Sequence, residues 1–338
     1  MSNSTAGTQL QAQILIPHLV DVVAGFGTEV IGIPLIFIIL YSDAFRQRKE
    51  MEMILAQTLA GLIYATGVFY GGSKRVYLVV NYLDQELYSR WECMTEFMTF
   101  CFLVGPQATA LTDFAVTVDR FIAITWPVFY HNLSAKYLLA TFGLGFGLSL
   151  GSYFVAMIIS NSLDSSNVPR LCLSTWASSD QYSLFYTTLI TVIETAAILL
   201  YVGVLVQVRR HAKRIVGAVR PKQQEHQLRM TRVMSQVLVC TFFMYLLPWY
   251  ALVGMGVFRV SSSISARISA FLWASIAFSN FFNILIYWIR IPELRKAATD
   301  LLCCKQSKVA FVSEMSNSRK LVTIPEEPQQ PVQTNQNH

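Results

Sequence analysis

The sequence predicts an all-α integral membrane protein: a bundle of seven transmembrane helices followed by a short amphipathic eighth helix. Three observations predict it. Seven apolar windows, roughly 14–41, 52–72, 92–122, 137–160, 183–208, 231–258 and 266–290, each reach the about 20 residues a helix needs to cross the hydrocarbon. Only 14% of the 338 residues are charged and 54% are hydrophobic, whereas an ordinary soluble domain carries about a quarter charged residues. The basic residues also crowd the gaps on one side of the spans.

That asymmetry orients the chain. The gap 42–51 has three Lys or Arg, the gap after the third window two, the gap before the sixth eight and the stretch from Arg290 seven, so 20 of the 26 fall on one face. The other face holds Lys74, Arg75, Arg90, Arg170, Arg259 and Arg267. Short loops rich in Lys and Arg stay in the cytoplasm, so the expectation is a multi-pass plasma-membrane protein with its N-terminus outside and its tail inside. The same bias accounts for the net charge of +6. No nucleic-acid partner is expected, since no basic face lies outside the membrane loops.

Taken in order, residues 1–13 are polar and free of Lys and Arg, and they are expected to be extracellular. They lack the basic region of a cleaved signal, so the first apolar helix is expected to act as an uncleaved signal-anchor. Asn3-Ser4-Thr5 is a glycosylation sequon on the outer side, whereas Asn132-Leu133-Ser134 falls on the cytoplasmic side and is discounted. The third window is long, with a possible kink at Pro106 that neighbouring helices can accommodate. The fourth carries Gly143, Gly147 and Gly151 at four-residue spacing, a ridge suited to close helix approach within the bundle or to a dimer face. Residues 14–302 are read as the seven-helix domain with its eighth helix. Residues 303–338, rich in Ser, Pro, Gln and Asn, are too polar to bury a core and are read as a disordered cytoplasmic tail.

The cysteines sort by depth. Cys93 at the outer start of the third helix and Cys172 in the outer loop between the fourth and fifth both face an oxidising compartment, where a bridge between them is expected and two free thiols are the alternative. Cys101 and Cys240 fall within spans as packing residues. Cys303 and Cys304 follow a short amphipathic stretch just inside the membrane and are palmitoylation candidates.

At the inner end of the third span the chain reads Asp119-Arg120-Phe121-Ile122-Ala123-Ile124-Thr125-Trp126-Pro127-Val128-Phe129-Tyr130. This resembles the DRY-x-A-I-x-x-P-L-x-Y signature of rhodopsin-like (class A) G-protein-coupled receptors, with Phe121 in place of the Tyr. In the seventh span Asn283-Ile284-Leu285-Ile286-Tyr287 resembles NPxxY, with Ile284 in place of the Pro. The stretch after Pro292, with Leu294, Ala298, Leu301 and Leu302 at helical spacing, is similar to that family's eighth helix. The resemblance covers roughly 14–304. Gly32 stands where the first helix usually has Asn, Ala60 or Gly61 where the second has its sodium-coordinating Asp, and Ile193 where the fifth has Pro. The sixth reads Tyr245-Leu246-Leu247-Pro248 where CWxP is usual. Those departures are similar to the divergent serpentine chemoreceptors of nematodes, the Srsx-like class.

The resemblance implies a two-state switch. At rest Arg120 is held by Asp119; in the active state the sixth helix swings outward and Arg120 meets Tyr201 and the C-terminal helix of a heterotrimeric G protein. Tyr201 and Tyr287 stand where the family's two activation tyrosines stand. Unpaired charge inside a membrane is expensive, which singles out the acids Glu29, Asp113 and Glu194. Asp113 lies seven residues before Arg120 on one helix face. It is expected near Asn283 or Tyr287, as a switch carboxylate or as a protonated, hydrogen-bonded structural one. Phe102 and Ala277, where amine receptors have Asp and opsins have Lys, argue against an amine or a covalent chromophore. Phe102, Pro106, Trp249, Tyr250 and Trp273 are expected to line an apolar aromatic cavity, with Glu96 and Arg267 at its mouth, or else to form core and interface belt.

The expected function is reception of an extracellular small chemosensory molecule or peptide and activation of a G protein, with a homo- or heterodimer as a candidate assembly. No cofactor, metal or catalytic group is expected: the five His residues are too spread to form a site. The alternatives are a signalling-silent seven-helix scaffold and a transporter or channel, the latter expected to show inverted repeats or charge-lined spans.

Overall fold

The computed structural model describes residues 3–302 except 43–44, 46–47, 84–85, 134, 163–166, 174–176, 215–232 and 259–261. The helices are α1 (Asn3–Tyr41), α2 (Lys49–Val80), α3 (Arg90–Thr95), α4 (Phe97–Thr125), α5 (Pro127–Asn132), α6 (Ala135–Ser162), α7 (Asp180–Arg214), α8 (233–257), α9 (Ser262–Arg290) and α10 (Pro292–Leu302). Seven of them, α1, α2, α4, α6, α7, α8 and α9, are long and apolar enough to cross a membrane. The side chains of Asn3 and Arg267, and residues Cys303 and Cys304 with the rest of the tail, lie outside the described residues.

The chain divides after Leu294 into two units. In the first, α1 packs between α2 and α9, and α4 packs against α2, α6 and α7. Of the apolar window of α4, 72% is buried, against 22% for α6, so α4 is the central element and α6 faces outward. In the second unit, the last turns of α10 carry a hydrogen bond from Thr299 Oγ1 to Arg295 O at 2.8 Å.

Helix α2 runs eight residues past its expected end. The polar stretch Ser73-Lys74-Arg75 closes the hydropathy window, but the bundle satisfies it. Arg75 is 4% exposed, its guanidinium donates to Leu171 O and Cys172 O at 3.1 and 3.4 Å, and it sits 5.1 Å over the Phe102 ring. Lys74 pairs with Glu96. At the same end Leu87–Ser89 (β1) and Asn167–Pro169 (β2) form a small antiparallel ladder, with Tyr88 opposite Val168. Ser89 then caps α3 in a reciprocal pair with Glu92. The Cys93–Cys172 bridge closes beside this ladder, with Cα atoms 5.2 Å apart.

Prolines inside spans free carbonyls, and the bundle recaptures them. Pro106 cannot donate to Phe102 O; Tyr186 of α7 donates its hydroxyl to Phe102 O and Leu103 O at 3.2 and 2.9 Å. Pro248 frees Met244 O, which accepts from Ser275 Oγ of α9 at 3.0 Å, and the turn before it, Phe242–Leu246, widens into a π-helix. Beside Pro34, Trp288 Nε1 donates to Ile31 O at 3.0 Å.

Close helix approach is set by glycines other than the expected ones. A Cβ on Gly105 would lie 2.6–2.7 Å from Tyr64, backbone included, and one on Gly25 a similar distance from Ala65 O and Phe69 N. Around Gly143, Gly147 and Gly151 a Cβ would meet nothing within 4 Å among the described residues. The α6 ridge therefore does not pack within the bundle, contrary to that expectation, because α6 turns this face outward.

Candidate functional site at the Arg120 end of α4

Four positions on α4, Thr109, Asp113, Thr117 and Arg120, fall three or four residues apart and share one inward stripe. The helix stops at Trp126, and Pro127, at the first position of α5, starts the next turn without needing an N–H. That break swings Tyr130 back to Asp119, whose Oδ2 accepts its hydroxyl at 3.2 Å.

Asp119 and Arg120 are buried, with Oδ2 3.7 Å from Nε. The geometry is not bidentate: among the described residues Asp119 Oδ1 and Arg120 Nε have no hydrogen-bond partner, and Arg120 Nη2 points to Met53 Sδ at 3.5 Å. Such a pair has lost water without replacing every hydrogen bond, so it is weakly held. Lys49 of α2 sits 4.6 Å over the Tyr130 ring and donates to Leu133 O at 2.7 Å, fixing α5 in place. Burial pushes the Tyr130 phenol above its ordinary value; Arg120 opposes this, and Asp119 adds to it. Tyr130 therefore stays a neutral donor. Tyr201 of α7, 3% exposed, hydrogen-bonds Ser235 of α8 while lying in the field of Arg120.

One helical turn and more deeper, a chain of side chains crosses three spans. Tyr287 of α9 donates its hydroxyl to Gln57 Oε1 at 2.6 Å, and Gln57 Nε2 donates to Asp113 Oδ1 at 2.7 Å. Asp113 thus reaches Tyr287 through Gln57. Sequence reasoning missed Gln57 because it looked in the second span for an acid. The available signal was an amide in an apolar run one turn before Gly61. Asn283 Nδ2 donates to Thr241 Oγ1 of α8 at 3.2 Å, tying in the sixth span. Gln57, Asp113, Asn283 and Tyr287, with Thr109, Gly61 and Asn280, line a cavity of about 10 Å³, the room of one water. Glu194 of α7 is also buried, its Oε1 without a partner, in the field of Asp113.

The family-departing positions pack as an apolar replacement. A Cβ on Gly32 would lie 2.8 Å from Leu62 Cδ2 and 3.1 Å from Ile284 Cδ1, so Gly32 makes room for the branched residue that stands in for Pro. Gly61, not Ala60, faces the polar cavity, 3.1 Å by its Cβ position from Asn280 Oδ1.

Of the expected ligand-cavity residues, Phe102, Trp249 and Trp273 come together, with ring centroids 6.4 Å apart for Phe102–Trp273 and 5.4 Å for Trp249–Trp273. They stack in edge contacts with Tyr64 and Tyr186 as packed core. Pro106 joins them by accepting the Tyr245 hydroxyl at 2.8 Å. Tyr250 does not: it is 46% exposed and its hydroxyl lies 2.7 Å from Thr195 Oγ1 on the outer surface of the bundle. Its place among the cavity residues is corrected, since one residue of helical rotation from Trp249 turns it outward. Glu96 is engaged by Lys74. Among the described residues no group of His, Cys, Asp and Glu is arranged to hold a metal ion.

Residues 27–302 match the family model for the serpentine type 7TM GPCR chemoreceptor Srsx. No curated protein matches the chain.

Proposed function

The chain belongs to the Srsx family of serpentine seven-transmembrane GPCR chemoreceptors, and on that premise we propose that it binds an extracellular small molecule or peptide and activates a heterotrimeric G protein in the manner of rhodopsin-like receptors. The observation that carries the proposal is the loosely paired Arg120 at the end of the most buried span, beside a polar chain linking α2, α4 and α9. A weakly held guanidinium is available to a partner helix once α8 moves, and Tyr201 on α7 can then leave Ser235 for it. Asp113, Asn283 and Tyr287 transmit that movement between spans. The membership is in a receptor family, not an enzyme family.

The orientation follows from the charge bias: N-terminus outside, Arg120 end and tail in the cytoplasm, with the plasma membrane as the site of action. Within it, 14–302 forms the receptor domain. Asn3 is a glycan site, and Cys303 and Cys304, on the cytoplasmic tail outside the described residues, are lipid attachment sites.

Purified full-length protein in lipid nanodiscs, mixed with a promiscuous G protein and a library of volatile, water-soluble and peptide compounds, tests the reading. At least one compound is expected to accelerate nucleotide exchange on the wild type and to have no effect on Arg120→Ala that remains folded. Acceleration that survives Arg120→Ala would remove the role given to this residue. No acceleration by any compound, with the fold intact, would favour a signalling-silent scaffold.

A further inference from the structure

A second cavity, far larger than the water-sized one, opens sideways between α4, α6 and α7. Its volume is about 600 Å³, within the range that holds small organic ligands. Helices α6 and α7 each pack on α4, but along this stretch they are held to each other chiefly through Tyr182, whose hydroxyl donates to Ser152 O at 3.0 Å and lies 2.7 Å from Ser152 Oγ. The mouth is framed by Leu148, Val155 and Phe185, which are 53%, 52% and 57% exposed on the apolar surface of a membrane-spanning bundle. Entry is therefore from the bilayer.

The lining has no acid and no base. At its inner wall stands Gln107, in the middle of α4, with Leu111 one turn on along the same face. Gln107 is 4% exposed and its Oε1 has no hydrogen-bond partner among the described residues. An amide left unpaired in an apolar span is costly unless something reaches it. The Tyr182 hydroxyl is already engaged by Ser152, and Ser179 Oγ by Tyr182 N at 3.2 Å, while Gln181, the other amide of the lining, is exposed at the start of α7. The cavity thus combines apolar walls, no charge, a lipid-facing door and one free amide at its inner end.

We propose that this cavity binds an uncharged amphiphile dissolved in the bilayer, with an apolar body between α6 and α7 and a single hydroxyl or amide hydrogen-bonded to Gln107. It is separate from the Arg120 site and requires no G-protein coupling.

The test uses full-length protein in phosphatidylcholine nanodiscs and a dodecanol carrying a diazirine on its chain. Photolabelling is expected to concentrate on peptides covering 148–159 and 181–193 and to be suppressed by excess dodecanol. Dodecane, which lacks the hydroxyl, should compete about two- to tenfold more weakly, the range of one neutral hydrogen bond. In Gln107→Leu, which keeps the volume, that difference should vanish. Leu148→Trp, at an exposed position of the mouth, should abolish labelling without changing the unfolding midpoint. Labelling spread over every lipid-facing span, dodecanol and dodecane competing alike on the wild type, or a diazirine phosphatidylcholine that labels the same peptides and is not displaced by dodecanol, would each overturn the proposal.

Discussion

Gln57 shows how one amide can join three spans. It donates to Asp113 and accepts from Tyr287, so both ends of its side chain are used across three spans. Removing either neighbour leaves a buried group unpaired, whereas removing both ends of one bond is nearly neutral. Gln57→Leu and Tyr287→Phe are therefore expected to be non-additive. In a double-mutant cycle on thermal unfolding in detergent, the interaction energy should be about 0.5–2 kcal/mol; an additive pair would break the link between α2 and α9. Arg120 is the opposite case. Its contact with Asp119 at 3.7 Å is incomplete, yet Arg120→Ala strands the buried Asp119 carboxylate, so it is expected to lose stability as well as signalling, and adding Asp119→Asn should restore the stability without the signalling.

Among the elements, the proline-bearing helices α4 and α8 depend on neighbours for backbone satisfaction. Tyr186→Phe strips the donor from Phe102 O and Leu103 O. It should cost about 1 kcal/mol in unfolding free energy, near the values found for single hydrogen bonds inside membranes. Close approach between α2 and α4 depends on Gly105, where a Cβ would strike the Tyr64 backbone. Gly105→Leu should destabilise by about 1–3 kcal/mol or prevent folding. Gly147→Leu on the outward ridge of α6 should stay within about 0.5 kcal/mol, because nothing among the described residues lies within 4 Å of a Cβ there. Thermal unfolding of the two variants side by side checks the contrast.

For the whole molecule, the end opposite Arg120 is tied by three devices of different kinds: the Cys93–Cys172 bridge, the β1–β2 ladder and the buried Arg75 holding the carbonyls of the bridged loop. The bridge closes 79 residues of chain. Its loss in Cys93→Ser with Cys172→Ser is expected to cost about 2–4 kcal/mol, mainly by freeing the unfolded chain. Reductant should lower the unfolding midpoint of the wild type and leave the double variant unmoved. A stable upper end beside a loosely paired lower one suits a molecule that receives at one face and moves at the other.

The spans were legible because hydropathy alone decides them: about 20 apolar residues need no knowledge of neighbours to demand a bilayer. The Arg120 and Tyr287 motifs and the Cys93–Cys172 pairing were legible for a related reason, since register within one helix, and the end of a span at which a residue falls, are local properties. The end of α2 was not, because Arg75 is tolerable only once Leu171, Cys172 and Phe102 surround it. Nor was Gln57, whose meaning lies in Asp113 and Tyr287, 56 and 230 residues away. The sequence by itself determined that there would be seven spanning helices and in which windows they lay. Only the tertiary structure decided which polar atoms met, which glycines touched backbone, and where α6 and α7 left a cavity, because those outcomes depend on how helices rotate and pack against one another.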